Sequence, residues 1–246
     1  MARTVNEREF TRKRNEILEA AMRLVLAKGY ERMTIQDILT DLRISSGAFY
    51  HYFGSKPALL EAFIEQIGEV AEQPLLPIIN DPHLSAIEKL RGFFGVLSRL
   101  VITHSADVAE LGPVWFTDEN AIVRQKVDEA TARQRVPMLA AIVRQGIQEG
   151  VFTTPYPDLA GEVVHSLLQG MQNAHAGLLR LAEQDGSEAY PLEDIVTSHS
   201  AHIVTTCAAY MDAIERVLGA PPNSLHRVGA EEVAAWAVAA RGTYRA

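Results

Sequence analysis

The chain has a single cysteine, Cys207, in 246 residues. That excludes an internal disulfide and any cysteine-rich metal site, and it fits a reducing cytoplasm. Cys207 lies among apolar residues and reads as a small core or interface side chain, not a reactive thiol. No apolar run approaches the roughly 20 residues needed to span a bilayer. The first ten residues lack the apolar core of a secretory signal. No alternation of strand type and no internal repeat is visible. A phosphate-binding glycine loop, a nucleophile elbow and a convincing acid–base pair are all missing, so neither an enzyme nor a cofactor is expected. His199 and His202 are three apart, with His175 as a third histidine. Without a carboxylate partner they assign no metal.

What is present is a folded, helical composition, with 48% hydrophobic and 22% charged residues. The net charge is −8, but it is unevenly placed. Residues 1–56 hold ten Lys/Arg against seven Asp/Glu, or +3, which leaves −11 on the remainder. A basic head on an acidic body is the asymmetry of a nucleic-acid-binding module attached to a separate domain. Arg12, Lys13 and Arg14 stand where they could reach backbone phosphates, contacts that position a protein without reading sequence.

Residues 34–53 concentrate the signal. Thr34 is a good helix N-cap, with Asp37 at the capping-box position. Ile35, Ile38 and Leu39 form one apolar stripe. The pattern breaks at Asp41–Arg43, and Ser45 then caps a second short helix running to about Tyr52. Two helices joined by a tight turn are the unit that lays its second helix in a DNA major groove. That helix offers small or polar residues, Ser45, Ser46, Gly47 and Ala48, with Ile44 and Phe49 left to dock it. Gly47 suggests a close approach. Tyr50, His51 and Tyr52 can donate to phosphates, and Lys56 opens the next helix, whose N-terminus also favours an anion.

From about Phe10 to Phe63 the chain resembles the DNA-binding domain of the TetR family of bacterial transcriptional regulators. Ile17–Tyr30, Met33–Ile38, Ile44–Phe53 and Ser55–Leu60 carry the resemblance, in the right order, over roughly the first quarter of the chain. Two positions depart from the family. Arg43 occupies the turn position where the family usually has Gly, and a left-handed conformation costs more there without it. Ser46 stands where Lys is frequent, which removes a phosphate contact. The resemblance implies an all-α protein: a three-helix DNA-binding domain over 8–54 with its helix-turn-helix at 34–53, and a helical ligand-binding and dimerisation domain over 55–220. A C-terminal extension, 221–246, holds one potential helix at Glu231–Ala240 with Val233, Trp236 and Val238 partly buried.

In chain order, a first helix is expected over Arg8–Lys28 with Gly29 as its C-cap. Ser55 should cap a fourth helix ending before Pro74, the only covalent path from head to body. Residues 74–82 read as a proline-marked connection. Asp81 and Pro82 should open a helix to about Thr103. Thr117 should cap a helix over Asp118–Glu149 that Pro137 kinks or splits. Asp158–Glu183 and Leu192–Leu218 complete the body. These last two helices are apolar over more than one face and must be covered on both sides. Core burial explains that, and so does the four-helix dimer interface the resemblance implies.

The expected partners are a palindromic double-stranded DNA operator, a second copy of the chain and a mostly apolar small-molecule effector; no membrane is expected. The DNA-binding residues are Thr34, Arg43, Ser45, Ser46, Gly47, Ala48, Tyr50, His51 and Lys56. The effector would lie among Phe63, Ile67, Phe94, Leu97, Val101, His104, Trp115, Phe116, Leu139, Val143, His165, Leu168, Gln169 and Gln172, an aromatic and aliphatic set with a few polar groups. Ordinary core packing is the competing account of each of these residues, and His104 and His165 also fit as structural histidines. The function expected is a ligand-released dimeric repressor. The alternative is a small-molecule-binding or DNA-organising helical protein that switches no promoter.

Overall fold

The computed structural model describes residues 2–103, 117–184 and 196–241, and those residues are mostly helical, with no strand among them. Two compact units emerge, one of residues 1–69 with 114–130, the other of 70–113 with 131–246.

In the first unit α1 (Ala2–Lys28) starts earlier than Arg8. Residues 2–10 contain neither Pro nor Gly, so nothing stops the helix from propagating toward the terminus. Gly29 ends it with φ +81°, and a side chain there would run into Glu119. The helices α2 (Ile35–Leu42), α3 (Ser46–Tyr52) and α4 (Lys56–Glu72) follow. Ser55 caps α4 as expected, accepting from Ala58 N at 3.2 Å. The core holds Ile17, Leu18, Met33, Ile38, Phe49 and Leu59, each at most 2% exposed.

This unit reaches beyond the boundary expected at residue 54. Its core also takes Val123, fully buried, with Ile122 and Val127 against it. Asn120, 1% exposed, accepts from Tyr30 N at 2.9 Å, and Glu119 pairs with Arg32. The segment after Thr117 begins with a 3-10 turn, Asp118–Asn120, before α7 (Ala121–Gln148), so the α-helix opens three residues later than expected. Its first turns carry the apolar stripe that the three-helix head lacks on one side. α4 and α7 each have residues in both units.

In the second unit the expected proline-marked connection is itself helical, a 3-10 turn at Gln73–Leu75 followed by α5 (Leu76–Asn80). α6 (Ala86–Thr103) starts four residues after Pro82. Asp81 accepts from His83 N at 2.8 Å in a local turn, and Ser85 forms the actual capping box: its hydroxyl accepts from Glu88 N at 3.3 Å while the Glu88 carboxylate accepts from Ser85 N at 2.8 Å. Pro137 does not split α7, which runs through it. A proline removes one hydrogen bond, a cost of about 3 kcal/mol, and the buried face carrying Leu139, Ile142 and Val143 outweighs it.

α8 (Pro157–Gln184) packs along α9 (Ser200–Leu218). α9 begins after a turn at His199, although Leu192 was its expected start; 196–198 are helical and 192–195 lie outside the described residues. The core joins Leu90, Phe93, Leu139, Ile142, Val164, Ile214 and Leu218.

One buried carboxylate gathers several of the contacts that dock the C-terminal extension on the body. Glu215, 2% exposed, accepts from Asn223 N at 3.0 Å, Leu225 N at 2.8 Å and Arg227 Nη2 at 2.9 Å. Arg227 Nη1 also donates to Ala208 O at 2.8 Å. α10 (Ala230–Arg241) then packs on α9 and α6, burying Val233 against Ile203 and Cys207. The side chains of Trp236 and Val238 lie outside the described residues.

Candidate nucleic-acid interface

The capping box at Thr34 sets where α2 begins. Thr34 Oγ1 accepts from Asp37 N at 3.2 Å, and Asp37 Oδ2 accepts from Thr34 N at 2.7 Å. Lys28 lies 2.5 Å from the same carboxylate. Its hydrogen bond, followed by those of Thr34, pulls the Asp37 carboxyl down to about 2. Asp37 is therefore ionised under all ordinary conditions, and the box stays intact until pH falls toward that value. Thr34 itself remains exposed.

α2 ends at Arg43, whose φ of 52° and ψ of 44° are left-handed. Ile44 N returns to Leu39 O at 3.1 Å, the 6→1 bond of a Schellman turn. The turn is left-handed without a glycine to relieve it, and the strain falls on Arg43. Arg43→Gly should therefore stabilise the protein, by up to about 1 kcal/mol after the extra freedom of glycine in the unfolded chain is discounted. A urea titration checks this; an unchanged or lowered midpoint contradicts it.

Ser45 Oγ accepts from Ala48 N at 3.1 Å and caps α3. Phe49, fully buried, anchors the helix to the core, with Ile44 half-buried beside it. The opposite face is open: Ser45, Ser46, Gly47, Tyr50 and His51 are exposed, and Ala48 is half-buried. A Cβ at Gly47 would meet only Ser45 Oγ, at 4.0 Å, so that surface is free to be approached closely. Tyr50 is 53% exposed, its ring edge-on to Phe49 at 5.4 Å. Tyr52, by contrast, is half-buried against the core.

Lys56 is less free than expected. Its ammonium donates to Glu31 O at 3.3 Å and stands 4.3 Å from the Tyr30 ring centroid. Arg12 and Lys13 both pair with Glu16, at 2.6 and 2.7 Å, and Arg14 stacks over Phe53 at 5.3 Å. The basic residues ahead of the head are thus engaged within it. Phe10, absent from the sequence-derived site, touches His51 and Tyr52, with ring centroids 5.6 and 4.8 Å apart. Nothing local in the sequence signals that contact, because it joins residues 41 or more positions apart.

The expected effector residues separate. Phe63 packs on the first unit's core. Phe94, Leu139, Val143 and Leu168 are buried in the second core, with Leu97 half-buried against it. His165, 6% exposed, borders an open groove of about 440 Å³ between α7 and α8, with Ala132, Arg133, Val136, Pro137, Glu162 and Ser166. Gln169 is half-buried and Gln172 exposed. The side chains of Ile67 and Val101, and the whole of His104, Trp115 and Phe116, lie outside the described residues. Cys207 Sγ is 3.7 Å from His175 Nε2. Burial, and then the charge of Glu232, push the Cys207 thiol up to about 11, which makes it inert. Burial lowers the pKa of His175, aided by His202.

A capped helix-turn-helix with one buried and one bare face is what the comparisons with known proteins match. Residues 17–63 fit the model of the bacterial regulatory proteins of the tetR family. That segment of the chain is of the TetR type. The TetR-type segment covers the second half of α1, the helix-turn-helix and the first half of α4. Over 44 residues, 18% of this chain and 15% of the other, it is 50% identical to the uncharacterized HTH-type transcriptional regulator YuxN of Bacillus subtilis. Over 162 residues, 64% of this chain and 76% of the other, the chain is 26% identical to the HTH-type transcriptional repressor KstR2 of Mycobacterium tuberculosis. The fold of the chain also matches the SmeT–triclosan complex, with a TM-score of 0.60 at 18% identity, over 88% of this chain and 96% of that one.

Proposed function

We propose that the protein is a dimeric repressor that binds a palindromic operator and is released by a small, mostly apolar molecule. The observation that carries this is the bare face of α3, capped by Ser45 and anchored by Phe49, within a TetR-type head. The relative KstR2 bears the name of a transcriptional repressor, and SmeT was solved with triclosan. Residues 8–54 serve as the DNA-binding domain and 55–220 as the effector-binding and dimerisation domain.

The N-terminal end of α3 reads bases through Ser45, Ser46, Gly47 and Ala48, with Thr34 and Arg43 on flanking phosphates. Tyr50, His51 and Lys56 hold the backbone. Lys56 does so with an ammonium whose other donors are spent on Glu31 and the Tyr30 face, so its share is small. A dimer presents two such helices about 34–36 Å apart, one turn of the duplex. Leu159 and Val163 on α8, 56% and 41% exposed, form an apolar stripe that supports pairing of α8 and α9 with a second copy. The effector acts by preferring the body conformation that does not fit DNA. A hundredfold preference supplies about 2.7 kcal/mol per site.

Tyr50→Phe tests the assignment at one atom. It should weaken binding by a similar factor on every operator variant, because the lost hydroxyl contact is to a phosphate. Anisotropy titrations against a panel of single-base variants read this directly. A change of preference at one base position would place the Tyr50 hydroxyl on a base.

A further inference from the structure

α1 carries a stripe at positions i, i+4 and i+7: Phe10, Arg14 and Ile17. Ile17 is fully buried in the first core. Arg14 lies over the Phe53 ring, 5.3 Å from its centroid. Phe10, one turn further out, meets the last turn of α3. Its ring is 5.6 Å from that of His51, edge to face at 81°, and 4.8 Å from that of Tyr52. His51 in turn stands edge-on to Tyr52, at 5.0 Å and 81°. The imidazole is exposed, yet two aromatic neighbours confine it. Phe10 is 38% exposed, a costly place for a large apolar ring unless the contact itself has a use. It also lies outside the family-matched span of 17–63.

We propose that Phe10 is a positioning residue for DNA binding: it clamps the His51 imidazole against Tyr52 so that a ring nitrogen is held ready for a backbone phosphate. This rests on the reading of His51 as a phosphate contact. An unclamped histidine must lose side-chain freedom when DNA arrives, whereas a clamped one has lost it in folding, so the clamp appears as affinity. Edge-to-face aromatic pairs commonly contribute enough to change an equilibrium by about threefold to tenfold.

The test is a double-mutant cycle on Phe10→Ala and His51→Ala. The probe is a fluorescein-labelled duplex of random sequence at low salt, since phosphate contacts are sequence-independent. Circular dichroism at the same temperature establishes that each variant is folded, and Phe10→Leu preserves much of the packed volume without the ring. Both alanine variants should bind about threefold to tenfold more weakly, Phe10→Leu nearly as weakly as Phe10→Ala, and the double variant no worse than His51→Ala alone. Additive losses, or full affinity in Phe10→Ala, would overturn the positioning role while leaving His51 on the phosphate. Full affinity in His51→Ala would instead remove the reading on which the proposal rests, and a loss in Phe10→Ala beside it would make Phe10 a contact in its own right.

Discussion

Arg135→Met is expected to destabilise the protein by about 3–5 kcal/mol, the largest effect of any single exposed or buried charge described above. Arg135 Nε donates to Glu72 Oε1 at 2.8 Å, with only 9% and 5% of the two side chains exposed. Glu72 Oε2 has no hydrogen-bond partner among the described residues. Burial raises the Glu72 carboxyl above its ordinary value of 4.5 even with Arg135 beside it. Removing the guanidinium takes away the one interaction that favours the carboxylate, so the raised pKa rises further. A carboxyl with a raised folded pKa contributes stability below its unfolded value and loses it as pH climbs through the folded value. The deficit of Arg135→Met should therefore be largest near pH 7 and shrink as pH falls toward 5. Glu72→Leu behaves differently, because a buried guanidinium cannot shed its charge; its deficit should not shrink in that range. The pair Glu72→Leu with Arg135→Met, apolar and of similar volume, should recover most of the loss. Urea titrations at several pH values separate these outcomes. A loss under 1 kcal/mol in Arg135→Met would mean that solvent reaches the pair.

Glu215→Gln should loosen the C-terminal extension by about 3 kcal/mol. Three donors converge on the Glu215 carboxylate, and hydrogen bonds to a charged acceptor contribute about 1.5–3 kcal/mol each. An amide presents an N–H to at least one of them, and Arg227 loses its counter-charge. The readout is Cys207, 2% exposed beneath Val233 and held as an unreactive thiol. Local opening of the extension exposes it and returns its pKa toward 8.5. Thiol labelling at pH 8 should then accelerate by roughly two orders of magnitude, with helicity nearly unchanged. Acceleration below tenfold would mean that α10 is held chiefly by its apolar contacts.

Which parts of this arrangement the sequence discloses follows from the range of the interactions. Thr34 with Asp37, Ser45 and Ser55 are caps whose partners lie three residues away, and Gly29 and Gly219 end helices through their own backbone freedom. All are legible from spacing. The start of α6 is misplaced by the same logic, since Asp81–Pro82 is a strong local signal that loses to the reciprocal Ser85–Glu88 box. What stays hidden is tertiary. Val123 lies in a helix that reads as body, yet it completes the head's core. Glu72 and Arg135 are 63 positions apart, and Glu215 looks like any glutamate on a helix until the chain returns to it at Asn223. At the site, spacing finds the exposed residues of α3 but not that Arg12, Lys13 and Lys56 have partners within the head.

The central claim is that the bare face of α3 reads DNA as one half of a dimer. Selection of bound duplexes from a random-sequence pool by the purified protein, followed by sequencing, tests it most directly. The account predicts enrichment of a palindrome whose half-sites are centred about one helical turn apart. Enrichment of a single unpaired half-site, or of no sequence at all, would contradict it.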